Sequence, residues 1–199
     1  MERKERTLVI IKPDGIQRTL IGEIIKRIER IGLKMVSIKM IIPDEDRIHK
    51  HYTVDPDWMK TVGEKTIKAY KEKGEDPLEI EPEKAGARVL KVLKKYMTSG
   101  PVVAMVWQGG HAVEIVRKIV GHTEPLASDV GTLRGDLVLD SYKASDTKGR
   151  AVRNLLHASG TVEDAEKEID IWFKKEEISN YTLIQEAILY DVNLDGILE

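Results

Sequence analysis

Thr7-Leu8-Val9-Ile10-Ile11 is a continuous apolar run that ends on a charge, Lys12, and then on Pro13-Asp14-Gly15. A strand with water on one side alternates apolar and polar residues. An unbroken run belongs to a central strand covered on both faces. The run therefore demands a layered fold with this strand inside a sheet. Pro13-Asp14-Gly15 predicts a turn directly after it. Lysine is almost never buried without a partner, so a lysine ending a buried strand is unusual.

The remaining segments supply the layers. Leu20, Ile21, Ile24, Ile25, Ile28 and Ile31 fall at helical spacing, and Gly32 stops that helix. Leu33 to Ile42 reads as a second strand ended by Pro43, and Asp44 to Tyr52 as a short helix. Between about Thr53 and Lys95 two helices are expected. One carries Trp58, Met59, Val62, Ile67 and Tyr70, the other Ala85, Val89, Leu93, Tyr96 and Met97. Val102 to Trp107 is a third strand and Ala112 to Val120 a helix. Asp140 to Arg150 reads as a polar loop, and Val152 to His157 as a fourth strand. Thr161 caps a last long helix, with Asp164 three residues on and Val162, Ala165, Ile169, Trp172 and Phe173 as its core stripe. Tyr181 to Tyr190 packs or pairs somewhere, and 194–199 is a fraying end. The order predicts an α+β sandwich: one antiparallel sheet with helices packed on one face, the split βαβ type.

Composition removes whole classes of chemistry. There is no cysteine, so disulfides, thiolate metal sites and cysteine nucleophiles are excluded. The formal net charge of -2 leaves no global basic field, so nucleic acid is not an expected partner. No apolar stretch approaches the ~18 residues a membrane span needs. The charged N-terminus leads straight into a strand and does not read as a signal peptide. The expected location is the cytoplasm. A single domain over 1–199 is expected, without repeats.

Three segments carry the chemistry. Asn154-Leu155-Leu156-His157-Ala158-Ser159 sets a histidine at the end of a short apolar run, before a helix rich in carboxylates. A neutral imidazole, with an unperturbed pKa of roughly 6.5, is a competent nucleophile when a carboxylate fixes its other nitrogen. Glu166 and Glu168 both border the apolar stripe, and helical geometry does not choose between them. The other two segments are Lys12-Pro13-Asp14-Gly15 and Gly131-Thr132-Leu133-Arg134-Gly135-Asp136. Neither phosphate loop of standard type, G-x-x-x-x-G-K-[ST] or G-x-G-x-x-G, is present, which argues against P-loop and protein-kinase mechanisms. His49, His51, His111 and His122 show no metal-ligand spacing with carboxylates and read as surface or packing residues, so no protein-bound metal is expected.

Taken together, these blocks resemble the nucleoside diphosphate kinase family over Arg6 to about Asp191. The matching stretches are Arg6 to Arg18, Gly22 to Gly32, His51-Tyr52, Ser99 to Trp107, Arg117 to Pro125, Gly131 to Asp136 and Arg153 to Phe173. The resemblance implies a ferredoxin-like βαββαβ sandwich. It also implies a kinase that moves the terminal phosphate of a nucleoside triphosphate, mainly ATP, to a nucleoside diphosphate through a phosphohistidine, in a ping-pong mechanism. It places that phosphohistidine at His157 and selects Glu168 as its partner. It implies that Lys12, Arg117, Thr123 and Arg134 hold the phosphates, that Tyr52 lies beside the transferred phosphate, and that Asn154 binds the sugar hydroxyl and the lysine side. Ser159 supplies a hydroxyl near the histidine and its glutamate. Mg²⁺ is the implied cofactor, held mainly by substrate phosphates. The implied assembly is a homo-oligomer, a hexamer or tetramer.

The chain departs from the family pattern at defined places. The segment from about 53 to 95 is a helical insertion after the second strand, and about 137 to 150 is a loop insertion beside the nucleotide. The family's base-stacking phenylalanine has no counterpart in the first, where Trp58 is the substitute on offer. Ala151 matches the opposite, smaller wall of the base slot. Gly160 stands where many members have aspartate. The alternative reading is a non-catalytic nucleotide-binding or regulatory protein on the same fold.

Overall fold

The computed structural model describes residues 5–72, 74 and 76–190. The sheet is built from β1 (Arg6–Ile11), β2 (Lys34–Ile41), β3 (Val102–Gln108) and β4 (Leu156–Ala158). Its order is β2-β3-β1-β4, and every pairing is antiparallel. The long apolar run is thus an inner strand, as its composition requires. This is the α+β, ferredoxin-like arrangement, β1-α2-β2 followed by β3-α6-β4, with α2 at Ile21–Glu29 and α6 at Ala112–Val120.

Helices cover both faces of the sheet, not one. Val9, Ile11, Met105 and Trp107 face Ile24 and Ile28 of α2 and Val116 and Val120 of α6. Their alternates, Leu8, Ile10, Ala104 and Val106, face Ile48 of α3 (Glu45–Tyr52) and Ile169 and Trp172 of α9 (Val162–Trp172). Period-two alternation along β1 sends its residues into two separate cores, which is why no polar residue interrupts it. Val162, expected in the core stripe of α9, is exposed, and Glu168 is buried there instead.

Between β2 and β3 stand α4 (Trp58–Glu72) and α5 (Pro82–Met97), an antiparallel hairpin. Two glycines let its backbones touch. A Cβ on Gly63 would lie 1.7 Å from the Pro82 carbonyl oxygen, and one on Gly86 would lie 1.9 Å from that of Met59. The hairpin is tied to the sheet end by Tyr96, whose hydroxyl donates to Asp14 and whose ring receives the Arg153 guanidinium at 4.3 Å.

Three short helices stand where none was expected: α1 (Pro13–Gln17), α7 (Leu133–Leu137) and α8 (Tyr142–Thr147). The last corrects the polar-loop reading of Asp140 to Arg150. Ser141 caps α8 by accepting from the Ala144 amide at 3.1 Å, and a Glu124 carboxylate oxygen accepts from the Tyr142 amide at 2.8 Å. The C-terminal segment ends in α10 (Gln185–Tyr190) and runs along β2, where the Ser179 amide donates to the Val36 carbonyl at 2.8 Å. The expected fraying of 194–199 lies outside the described residues.

Candidate active site

The site forms where β1 ends beside β4. The expected strand from Val152 shrinks to Leu156–Ala158 because Leu155, fully buried, has a φ of 70°. That conformation costs a non-glycine residue about 1–3 kcal/mol and must be held by its surroundings. The holders are visible. The Lys12 amide donates to the Leu155 carbonyl at 2.9 Å. Arg134 donates from Nε to the Asn154 carbonyl at 3.0 Å and from Nη2 to that of Leu156 at 2.6 Å. Gly15 makes room, since a Cβ there would lie 3.3 Å from the Leu155 carbonyl oxygen and 2.7 Å from the Ile11 side chain. The kink turns the chain so that His157 and Ser159 meet α9.

His157 is half-buried, with its Nε2 3.1 Å from a Glu168 carboxylate oxygen. Ser159 Oγ donates to the same carboxylate at 2.6 Å and accepts from the Leu8 amide at 3.0 Å. Burial alone would raise the Glu168 pKa. The His157 charge and the hydrogen bonds from His157 and Ser159 outweigh it and hold the carboxyl down, at about 2. Glu168 is therefore an ionised acceptor at neutral pH. Facing that acceptor, Nε2 is the ring nitrogen that donates, and in the neutral form of the imidazole Nδ1 carries the lone pair. Glu166, left open by helical geometry, faces away and pairs with Arg6.

The cationic groups are arranged by depth. Lys12 is only 4% exposed and donates to Asn154 Oδ1 at 2.6 Å. Burial, then the Arg134 charge, lower its pKa to about 7 against a weaker pull from Asp14. Asn154 Nδ2 donates to the Thr123 carbonyl at 3.0 Å, so one amide links the lysine to the 121–125 loop. Arg134 is buried and also donates to the Gly121 and His122 carbonyls. Burial lowers its pKa to about 10, with Tyr142 opposing and Arg117 adding to the effect. Arg117 and Thr123 are exposed at the rim. Arg134 is thus largely spent on carbonyls, a framing task that sequence reasoning did not foresee.

Tyr52 ends α3 with a buried hydroxyl that has no partner among the described residues. Burial, then the Glu168 charge, push its pKa up. Trp58, at the start of α4, stands 5.5 Å from the Tyr52 ring, so the hairpin does reach the site. Ala151 is buried beyond the C-terminal end of α8, where Arg150 donates to its carbonyl at 3.0 Å.

His51 is the residue that sequence reading underrated. It is buried, and its ring packs edge-on to His157 at 4.3 Å and 80°. Polar atoms of His51, His157 and Glu168 lie within 4.8 Å of one another. The linear spacing concealed this grouping, because α3 and α9 bring it together from opposite ends of the chain. The available signal was adjacency to Tyr52. His111 and His122 are exposed, as expected.

Cationic side chains grouped beside an oriented histidine suit phosphoryl transfer, which needs positioning and charge neutralisation more than covalent help. Comparison with known proteins decides the family. The family model described as nucleoside diphosphate kinase matches residues 5–73 and 59–178. The chain belongs to the nucleoside diphosphate kinase family. The nucleoside diphosphate kinase of Pyrobaculum aerophilum is 46% identical over 178 residues, spanning 87% of this chain and 97% of that one. Human nucleoside diphosphate kinase A is 39% identical, spanning 96% of this chain and 100% of its own. A crystal structure of an NDP kinase from Pyrobaculum aerophilum superposes with a TM-score of 0.85 at 44% identity, covering 89% of this chain and 100% of that chain. The nucleoside diphosphate kinase from Borrelia burgdorferi, solved as a transition-state mimic with vanadate and ADP, superposes at 0.77 with 37% identity, covering 94% of this chain and 98% of that chain. As a nucleoside diphosphate kinase family member the chain is a phosphotransferase acting on nucleotides. Among the described residues no helix is long and apolar enough to cross a membrane.

Proposed function

We propose that this chain moves the terminal phosphate of a nucleoside triphosphate, chiefly ATP, to a nucleoside diphosphate by a ping-pong route through a phosphohistidine on His157. The observation that carries the reading is the His157–Glu168–Ser159 chain of hydrogen bonds, which leaves Nδ1 as the nucleophilic nitrogen. The Nδ1 lone pair attacks the terminal phosphorus. The bond to the diphosphate oxygen breaks, and its electron pair leaves with the nucleoside diphosphate. Nε2 keeps its proton, and the positive charge that develops on the ring is met by the Glu168 carboxylate. In the second half, a diphosphate oxygen of the acceptor attacks the phosphorus, and the N–P electron pair returns to the ring.

Lys12, Arg117, Thr123 and Arg134 are the groups for the phosphates, with Lys12 a point charge, Arg117 an exposed planar fork and Arg134 a buried charge whose fork is taken up by carbonyls. Tyr52 brings its buried hydroxyl to the same place, and Asn154 stands for the sugar side. Trp58 and Ala151 are assigned to the two walls of the base slot.

Magnesium belongs to the substrate in this reading. Mg²⁺ takes oxygen ligands and keeps several waters, whereas the one grouping of metal-ligand side chains among the described residues is the nitrogen-rich His51, His157 and Glu168. The ion therefore fits on the nucleotide phosphates, where it neutralises charge. A homo-oligomer completes the proposal.

Initial rates with ATP and GDP both varied test it. A ping-pong enzyme gives parallel double-reciprocal lines. Lines that converge would mean both nucleotides are bound at once and would contradict the phosphohistidine route.

A further inference from the structure

Behind His157 lies a pair of residues with no part in the chemistry above. Trp172 is one helical turn after Glu168 on α9, and its Nε1–H donates to His51 Nδ1 at 3.3 Å. A nitrogen that accepts carries no proton, so neutral His51 must carry its proton on Nε2. That Nε2 is buried and has no hydrogen-bond partner among the described residues. An accepting Nδ1 leaves the ring neutral, and burial, then the His157 charge, push its pKa down to about 3, with Glu168 opposing and Lys12 adding to the effect. A charged ring there would repel the imidazolium-like phosphohistidine.

The same three side chains pose a hazard. Two imidazoles and a glutamate form a zinc-type ligand set, and their polar atoms lie within 4.8 Å of one another. A metal needs a nitrogen lone pair, and a metal-bound histidine ordinarily donates from its other nitrogen. Trp172 blocks both conditions at His51. It occupies Nδ1 as a donor and so obliges Nε2 to keep its proton.

We infer that Trp172 and His51 are positioning residues for His157: Trp172 fixes His51 as the Nε2–H tautomer, and that ring holds His157 in line for phosphoryl transfer while denying the site a second metal-ligating nitrogen. The orienting half of this inference rests on the phosphohistidine reading; the metal half does not.

The test uses the full chain with Zn²⁺ as the probe. Trp172→Phe keeps an aromatic ring but loses the donor. Its kcat is expected to fall about tenfold, with KM within about twofold of the parent. After incubation with Zn²⁺ and gel filtration, Trp172→Phe is expected to retain zinc stoichiometrically and the parent to retain none. His51→Asn keeps an acceptor near the Nδ1 position but has no ring against His157, so its kcat falls without zinc retention. Equal zinc retention by Trp172→Phe and parent, or a His51→Asn variant with the parent's kcat, overturns the inference. The zinc readout needs no turnover, so failure of the phosphohistidine reading is distinguishable from failure of this one.

Discussion

The α4–α5 hairpin and the floor of the site, from β1 across β4 to α9, are built on opposite principles. In the hairpin, backbones meet through Gly63 and Gly86, and the chain closes by removing side chains. In the floor, buried polar groups are drawn together: Lys12 on Asn154, Arg134 on four carbonyls, Ser159 and His157 on Glu168. A buried polar group is costly unless satisfied, so the floor tolerates little change at any single member. The hairpin is sensitive at two glycines. It reaches the floor through Trp58 beside Tyr52 and through Tyr96, whose hydroxyl donates to Asp14 and whose ring lies 5.5 Å from Lys12 Nζ. On the proposed function, the floor carries the reaction and the hairpin supplies a wall for the nucleotide.

The largest effect should come from the floor. His157→Ala removes the nucleophile, and transfer is expected to vanish while ADP still binds in calorimetry. Substantial turnover would place the chemistry elsewhere. Glu168→Gln keeps the shape but loses the ionised acceptor that fixes the tautomer. Rapid-quench measurement of histidine phosphorylation should show a loss of about a hundredfold, with ADP affinity little altered. An equal loss in affinity would mean that Glu168 binds nucleotide instead of orienting the ring.

Gly86→Ala tests the other region. The added methyl meets the Met59 backbone, and chemical denaturation should show roughly 3 kcal/mol less stability. Protein that remains folded should still phosphorylate His157. Loss of that step in folded protein would erase the distinction between the regions.

Lys12 gives a smaller effect with a definite sign. Its pKa of about 7 in the free protein lies below that of an ordinary lysine, and a bound phosphate raises it again. Binding then takes up a proton. Affinity for ADP is full below about pH 7 and falls as pH rises through it, by up to about tenfold per unit. Titrations in buffers of different ionisation heat should show the proton uptake; a flat profile would mean Lys12 stays charged throughout. Smallest is Trp58→Ala. A base–aromatic stack is worth about 1–3 kcal/mol, so ADP affinity should fall roughly tenfold with the phosphorylation rate at saturation preserved. Unaltered affinity would remove Trp58 from the base slot.

Sequence was most legible where one local rule suffices. Periodicity placed α6 at its observed bounds and located β1, β3 and the long helices to within a few residues. It failed where tertiary contacts decide. The kink at Leu155 is held by Lys12 and Arg134, far away in sequence, so β4 could not be cut to its true length beforehand. Helix α8 is too short for periodicity and depends on the Ser141 cap and on Glu124. The apolar run of β1 implied cover on both faces, yet the layer reading assigned helices to one. His51 looked like one histidine among several because Trp172, which fixes it, comes 121 residues later.

Locating the phosphate is the most direct test of the central claim. The protein is incubated with γ-labelled ATP and Mg²⁺, freed of nucleotide, digested under alkaline conditions and sequenced by mass spectrometry. An acid-labile, base-stable phosphate on His157 that moves to GDP when GDP is added before digestion is the expected result. Phosphate on another residue, or nucleotide bound with no phosphoprotein formed, would contradict it.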